Sequence, residues 1–500
     1  MDCNDYSKEI VQNIKISRYN LALGLLCLVI VIICLLILLF PHIREMLLSF
    51  AKSHASRELT NADVSTLKNV IILLPVIGII LCFLVGILIL FDKSIITAMT
   101  RNLLLVSYIA VTLFAIVIRL PGIQFETTDY EIWIKPWISH LAENNHLFGI
   151  NSIRSNYTPF NLFILGFISF LPESFWLISV KFVSFLFDFF LAVICGKIVY
   201  SIIDNREKVL VVYSAILLCP TVFINSSVWA QCDSIYVSFM FLSLLLFINE
   251  KNNLALFIYG ITLTIKLQGI FIFPLIIILY LYNKFKIGES IFLILGFIST
   301  PIIGLPFGAP LQFIKAFYMQ LTDYGGALTL NAPSIYALFY IRNESIPMMQ
   351  NIGIIFTLGL LICFSLYILY SNRNHGQSTG YSNASLDKIQ YVILYFFFTL
   401  IIPFFLPKMH ERYFYAAEAA SIIYAVLFPR KWWITLLVIL PACATYFNYL
   451  FGNTTNLFPL AITMLFAALL VTKWTIGSIG KINSGVNYES DKSIFSGERK

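Results

Sequence analysis

The feature that most limits this chain is a succession of apolar runs, each close to the length that crosses a lipid bilayer. A spanning helix needs about 20 predominantly apolar residues, because only a helix satisfies its own backbone within hydrocarbon. Runs that meet or approach this occupy 20–40, 69–91, 102–119, 174–201, 209–223, 234–249, 254–267, 270–283, 288–304, 350–371, 389–406, 413–429, 433–450 and 456–473. They predict an all-α polytopic membrane protein with about 14 transmembrane helices (12–14). Residues 254–283 fit one bent helix or two short ones, and 160–171, ending at Leu171-Pro172, is short enough to be re-entrant or interfacial. The composition is 59% hydrophobic and 12% charged over 500 residues, against roughly 25% charged for soluble domains. No single water-bounded core of this size hides so much apolar surface, so membrane lipid is the expected solvent. The run Leu21 to Phe40 has no small-residue cleavage site after it and is expected to remain as a transmembrane helix.

The net charge of +7 is scattered through short loops with no basic stripe, so no nucleic-acid partner is expected. The nine cysteines contain no CxxC pair, and Cys27, Cys34, Cys82 and Cys363 lie in apolar runs as small hydrophobes. Lys and Arg in short loops set orientation. With the N-terminus inside, Arg206, Lys208, Lys284, Lys286, Arg430, Lys431 and the tail from Lys473 face the cytoplasm. The loop 41–68, with Arg44, Lys52, Arg57 and Lys68, runs against this assignment. The extracytoplasmic loops are then 120–159, 224–233, 305–349 and 407–412. Two of these are long and rich in aromatics, Pro and Gly, which points to ordered functional loops. The expected organisation is an extra N-terminal helix pair in 1–101, a membrane core in 102–371, a polar linker at 372–388, C-terminal helices in 389–476 and a polar cytoplasmic tail at 477–500.

The candidate chemistry sits in these loops and at two charges within apolar runs. Glu126, Asp129 and Glu131 place three carboxylates in six residues at the end of a membrane helix. A carboxylate there can accept a proton from a hydroxyl, or be one of several ordinary surface acids. Tyr157-Thr158-Pro159 can contact a sugar, or simply start a helix with Thr158 as its cap and Pro159 first. Asp188 lies inside an apolar run, where a carboxylate costs about 2.5–3.5 kcal/mol on insertion scales and is functional or structurally paired. In the segment Asn225 to Ser234, Asp233 can cap the next helix and Trp229 can belong to an interface belt, or Gln231 and Asp233 can hold a polar substrate. Lys266 and Gln268 stand between two apolar stretches, where a lysine either snorkels or binds an anion. Pro407-Lys408-Met409-His410-Glu411-Arg412-Tyr413 gathers four ionisable groups between two spans on the side where positive charge is normally sparse. Lys408 and Arg412 suit a phosphate, with His410 and Glu411 orienting it or an acceptor. The spacing is no metal signature, and neither a Walker phosphate loop nor Gly-x-Ser-x-Gly is present.

In this order, Asp129-Tyr130, Tyr157-Thr158-Pro159, Trp229-Ala230-Gln231-Cys232-Asp233-Ser234, Lys266-Leu267-Gln268 and His410-Glu411-Arg412-Tyr413 resemble the motifs of the GT-C superfamily of membrane glycosyltransferases. The likeness is to bacterial members that use polyprenyl-phosphate sugars. The last element also looks like one in eukaryotic enzymes that use dolichyl-phosphate-glucose. It spans roughly residues 102–450, and Ala230 and Leu267 stand where relatives often have Gly and Pro. What the resemblance implies is inverting transfer of a hexose, glucose or mannose, from a polyprenyl-phosphate donor to a saccharide or lipid-linked acceptor of the cell envelope, outside a bacterial plasma membrane. Asp129 would be the base, with Lys266, Lys408, His410 and Arg412 at the donor phosphate. Glu411, Gln231, Asp233, Gln268, Tyr130, Tyr157 and Asp188 would support substrate. The resemblance implies no cofactor, and leaves a divalent cation open. A secondary transporter or a flippase is one alternative, disfavoured by the absence of two matching halves, and a lipid-linked saccharide polymerase is another, against which only the resemblance argues.

Overall fold

The computed structural model describes residues 93–322, 326–379, 386–452 and 455–483, with a short stretch at 44–49 and isolated positions nearby. The expected spans 20–40 and 69–91, and the tail from 484 on, lie outside the described residues. The chain divides into two units, 1–121 and 122–500. The first contributes helix α1 (Lys93–Arg119), whose C-terminal Arg119 turns back to donate to the Ala115 carbonyl one turn earlier.

Among the described residues, the regular structure of the second unit is helical but for one short strand pair. Its elements begin with α2 (Lys135–Glu143), α3 (Pro159–Ile168), α4 (Trp176–Ile203), α5 (Arg206–Leu218), the short α6 (Pro220–Phe223) and α7 (Asp233–Ile248). Next come α8 (Asn252–Ile265), α9 (Phe273–Leu281), α10 (Ile291–Ile303), α11 (Ala309–Thr322) and α12 (Ile346–Thr379). The last are α13 (Lys388–Phe405), α14 (Tyr415–Leu427), α15 (Trp433–Phe451) and α16 (Leu457–Asn483).

Among the described residues, six helices are long and apolar enough to cross a membrane: Leu103–Gly122, Glu173–Ile203, Asn343–Ile368, Lys388–Phe405, Trp433–Phe451 and Leu457–Ile479. A seventh arises if Arg206–Leu218 and Pro220–Val228, bent by 50° at Cys219, count as one broken span. The protein is thus an α-helical membrane protein. The expected spans at 234–249, 254–267, 270–283 and 288–304 fold as apolar helices of 10–17 residues. Residues 254–283 form two short helices, because the chain turns extended at Lys266 before a 3-10 turn at Leu267–Ile272.

Burial follows the sequence pattern. α13 is apolar on every face after Lys388 and is buried along nearly its whole length. Asp387 and Gln390 cap its start reciprocally, each side chain accepting from the other's backbone N–H. α8 and α10 pack backbone to backbone through Gly260 and Gly296, where a Cβ would collide with the Leu293 and Phe257 carbonyls. α12 runs on to Thr379, so the first part of the expected 372–388 linker continues that helix.

The loop regions read as external are folded. Residues 120–159 hold a π-helical turn (Tyr130–Ile134) and α2, whose Trp137, Ile138 and Leu141 pack with Tyr130 on Leu162 and Leu165 of α3. In 305–349, α11 clamps the segment before α3, with Gln312 donating to Ser155 O at 2.9 Å and Gln320 to Asn156 O at 2.7 Å. Strand β1 (Thr329–Leu330) then pairs in parallel with β2 (Met409–His410), Thr329 opposite Met409. Three loops distant in sequence are thereby tied together by backbone as well as side-chain bonds.

Candidate functional site

The break between α8 and α9 leaves a helix end to satisfy, and the structure shows how. Thr158 Oγ1 and Asn161 Nδ2 donate to the Ile265 carbonyl at 2.9 and 2.8 Å. Thr158 therefore does not cap α3 with its side chain, although Pro159 does take the first helical position. Irregular backbone is stable at membrane depth only where protein groups re-satisfy it. Here the gain is a lysine delivered to the interior: Lys266, 8% exposed, pairs with Asp233 Oδ1 and lies 5.4 Å from the Tyr236 ring and 5.6 Å from that of Tyr413.

Asp233 sits at the first turn of α7, yet makes no capping bond. Its second oxygen accepts from Asn225 Nδ2 at 3.0 Å and lies 3.8 Å from Arg412 Nε. Arg412 bridges to the second acid of the site, with Nη1 3.2 Å from Asp129 Oδ2. That oxygen also accepts from Trp229 Nε1 at 2.9 Å and Gln231 Nε2 at 2.7 Å, while Tyr449 OH donates to Oδ1. Trp229 is fully buried, stacked on Tyr449 at 4.8 Å with the Arg412 guanidinium 5.3 Å from its ring. An interface-belt position for Trp229 is therefore excluded. Of the three clustered acids in the first loop, only Asp129 enters this network, and Glu131 is exposed.

Local backbone explains how these groups are aimed. Both acid-bearing segments abut π-helical turns, Tyr130–Ile134 and Ile224–Val228, which widen a helix and often mark functional positions. Ala230 is left-handed at φ 62°, reversing the chain so that Trp229 and Gln231 both reach Asp129. The first loop is held from below by Lys181, 1% exposed in α4, which donates to the carbonyls of Gly122 at 2.7 Å and Phe125 at 2.5 Å. Thr127 Oγ1 adds a bond to the Trp229 carbonyl at 3.2 Å.

Glu411 and His410 adjoin the cluster on the strand-turn after α13. Burial, opposed by Arg412, pushes the Glu411 carboxyl up to about 7. Burial and then the Arg412 and Lys266 charges push His410 well below the usual histidine value, so its ring is neutral there. Burial opposes the Arg412 charge, but Asp233 and Asp129 outweigh it and raise its pKa. Tyr157 borders the site: its OH is 3.6 Å from Cys232 Sγ and its ring packs on Trp137 at 4.7 Å. Beside it an apolar recess is lined by Tyr157, Ile164, Val180, Ala230, Cys232 and Ile235.

The remaining sequence candidates fall at different places. Gln268 is buried on the turn after Lys266, its side-chain oxygen without a donor among the described residues. Lys408 is left-handed at φ 62° and donates its backbone N–H to Leu328 O, while its side chain is partly exposed. Tyr130 lies in the apolar packing under the loop, and Asp188 accepts from Ser226 Oγ at 2.5 Å and from Tyr415 OH at 3.5 Å. Tyr449, Asn225 and Lys181 were not singled out from sequence. Tyr449 and Asn225 are uncharged and border apolar runs; Lys181 is charged, and a lone lysine in an apolar run was the available signal.

Compared with known proteins, the chain matches no family model and no curated sequence. What fold and geometry define together is an α-helical membrane protein with a buried cluster of three acids, one arginine and one lysine, drawn from loops and broken helix ends.

Proposed function

We propose that this protein is an inverting glycosyltransferase that moves a hexose from a polyprenyl-phosphate donor to a saccharide or lipid-linked acceptor on the extracytoplasmic side of a plasma membrane. One observation carries the reading: Asp129, Trp229 to Asp233, Lys266, Arg412 and Tyr449, up to 320 residues apart, meet as one charged cluster. All but Tyr449 belong to the motifs on which the GT-C resemblance rests.

In this reading the acceptor hydroxyl attacks the anomeric carbon and gives its proton to Asp129 as the bond from that carbon to the phosphate oxygen breaks. The leaving phosphate needs fixed cations, which Arg412 and Lys266 supply, with Lys408 able to approach from the rim. A phosphoryl group competes with Asp129 and Asp233 for the guanidinium, and whatever it wins frees an Asp129 lone pair for the acceptor. Neutral His410 serves as a hydrogen-bonding group, and the apolar recess suits the first carbons of a lipid chain.

A second reading has its own support. The 50° bend at Cys219 and the break at Lys266 make two discontinuous helices that end at the charged centre, a layout that transporters use to hold substrate. Reconstitution separates the two. In lipid nanodiscs, radiolabelled polyprenyl-phosphate hexoses and an envelope lipid extract should give labelled product with wild type. Arg412→Ala should lower the rate about 10²–10³-fold, the cost of removing one oxyanion donor. Vesicle flux of a lipid-linked or soluble sugar without product would favour the transporter.

A further inference from the structure

Glu411 differs from the other acids of the cluster. It is 1% exposed, and neither carboxyl oxygen has a hydrogen-bond donor from another of the described residues. Asp129, by contrast, accepts from Trp229, Gln231, Arg412 and Tyr449, and Asp233 from Asn225 and Lys266. Buried carboxylates that stay ionised collect donors or a cation in contact, and Glu411 has been given none. The ionisable groups that face it are Arg412 on its own turn, Asp129 from the first loop, Asp233 from α7, and Tyr446 and Tyr449 from α15. Lys266 is engaged by Asp233.

The formal charges of the rest cancel: Asp129 and Asp233 against Arg412 and Lys266. The protonation of Glu411 alone then decides whether the cluster is neutral or carries a net negative charge. An anion that joins Arg412 meets no net repulsion in the first state and a buried carboxylate in the second. Its pKa of about 7 places the change between the two states in neutral solution.

We propose that Glu411 sets the charge of the phosphoryl group this site accepts: protonated, it admits a singly charged phosphodiester beside Arg412, and binding of that diester draws a proton onto Glu411. This rests on the reading of the cluster as a lipid-phosphate site and adds its charge selectivity. A phosphomonoester or a diphosphate brings a further negative charge that no buried cation of the cluster offsets, and is disfavoured. The sign of the linkage follows. The bound anion strengthens proton binding at Glu411, so affinity is highest below about pH 7 and falls up to about tenfold per pH unit above it.

The test is calorimetric titration of the full chain in nanodiscs with a short-chain isoprenyl phosphodiester of glucose, at pH 6 and 8, in buffers of differing ionisation enthalpy. A phosphodiester has no second ionisation, so any proton taken up belongs to the protein. Wild type should bind about tenfold more weakly at pH 8 than at pH 6. Proton uptake should approach one per diester at pH 8 and vanish at pH 6. Glu411→Gln should bind equally at both pH values and take up no proton, and Glu411→Asp should retain uptake. Zero uptake by wild type at pH 8, or uptake that persists in Glu411→Gln, overturns the role of Glu411 and leaves the transferase reading standing. No binding of the diester at any pH overturns both.

Discussion

Two pairs of acids among the described residues are solvated by different partners. Asp129 and Asp233 stand at loop and helix ends and are met by Arg412 and Lys266. Asp188 and Glu418 stand inside helices α4 and α14, with hydroxyls as partners: Ser226 and Tyr415 for the first, Thr221 for the second. A hydroxyl satisfies a carboxyl without providing a charge that a substrate can borrow. Cations paired across a loop can exchange one anion for another. In the proposed reading chemistry falls to the first pair and packing of α4, α14 and the Ile224–Val228 turn to the second, although a carboxylate is costly to bury in either place.

Substitutions can break that division. Asp129→Asn keeps the size of the side chain and removes the carboxylate proposed as base, so transfer should fall about 10²–10⁴-fold. Asp188→Asn can still accept from Ser226, and should leave transfer within about tenfold of wild type. An Asp188→Asn enzyme as inactive as Asp129→Asn would erase the distinction. Lys181→Met tests how far the first loop depends on its support. Two buried carbonyls lose a charged donor, worth about 1.5–3 kcal/mol each at most in unfolding, and transfer should drop because Asp129 is held less firmly. Lys181→Arg should recover part of both. The smallest expected effect is at Ala230. Its left-handed backbone costs about 1–2 kcal/mol, and Gly gives back about 0.4–1 kcal/mol to the unfolded chain. Ala230→Gly should therefore raise stability by up to about 1 kcal/mol in thermal unfolding and leave transfer intact.

Much of the site was legible because its ionisable residues interrupt apolar runs. Asp129, Asp233, Lys266, Glu411 and Arg412 all announce themselves that way, and each ends in or beside one cluster. Tyr449 was not legible: a tyrosine near the end of an apolar helix looks the same whether it meets lipid headgroups or a carboxylate. Asn225 was hidden for a similar reason, since the bond that defines it crosses to Asp233 only once Ala230 has turned the chain. Asp233 and Thr158 show the reverse error, for both occupy cap positions in sequence and spend their side chains on other elements. Among the described residues fewer helices reach spanning length than the apolar runs announce, because apolarity does not distinguish a helix facing lipid from one enclosed by protein. α7 is 16 residues long and almost entirely buried, and reads on hydropathy like a membrane crossing.

The most direct test of the central claim is sugar transfer from a radiolabelled polyprenyl-phosphate hexose by purified wild type, Asp129→Asn and Asp188→Asn in the same nanodiscs. The account predicts labelled product with wild type and Asp188→Asn and a loss of at least about 10²-fold in Asp129→Asn. Transfer that survives in Asp129→Asn would contradict it.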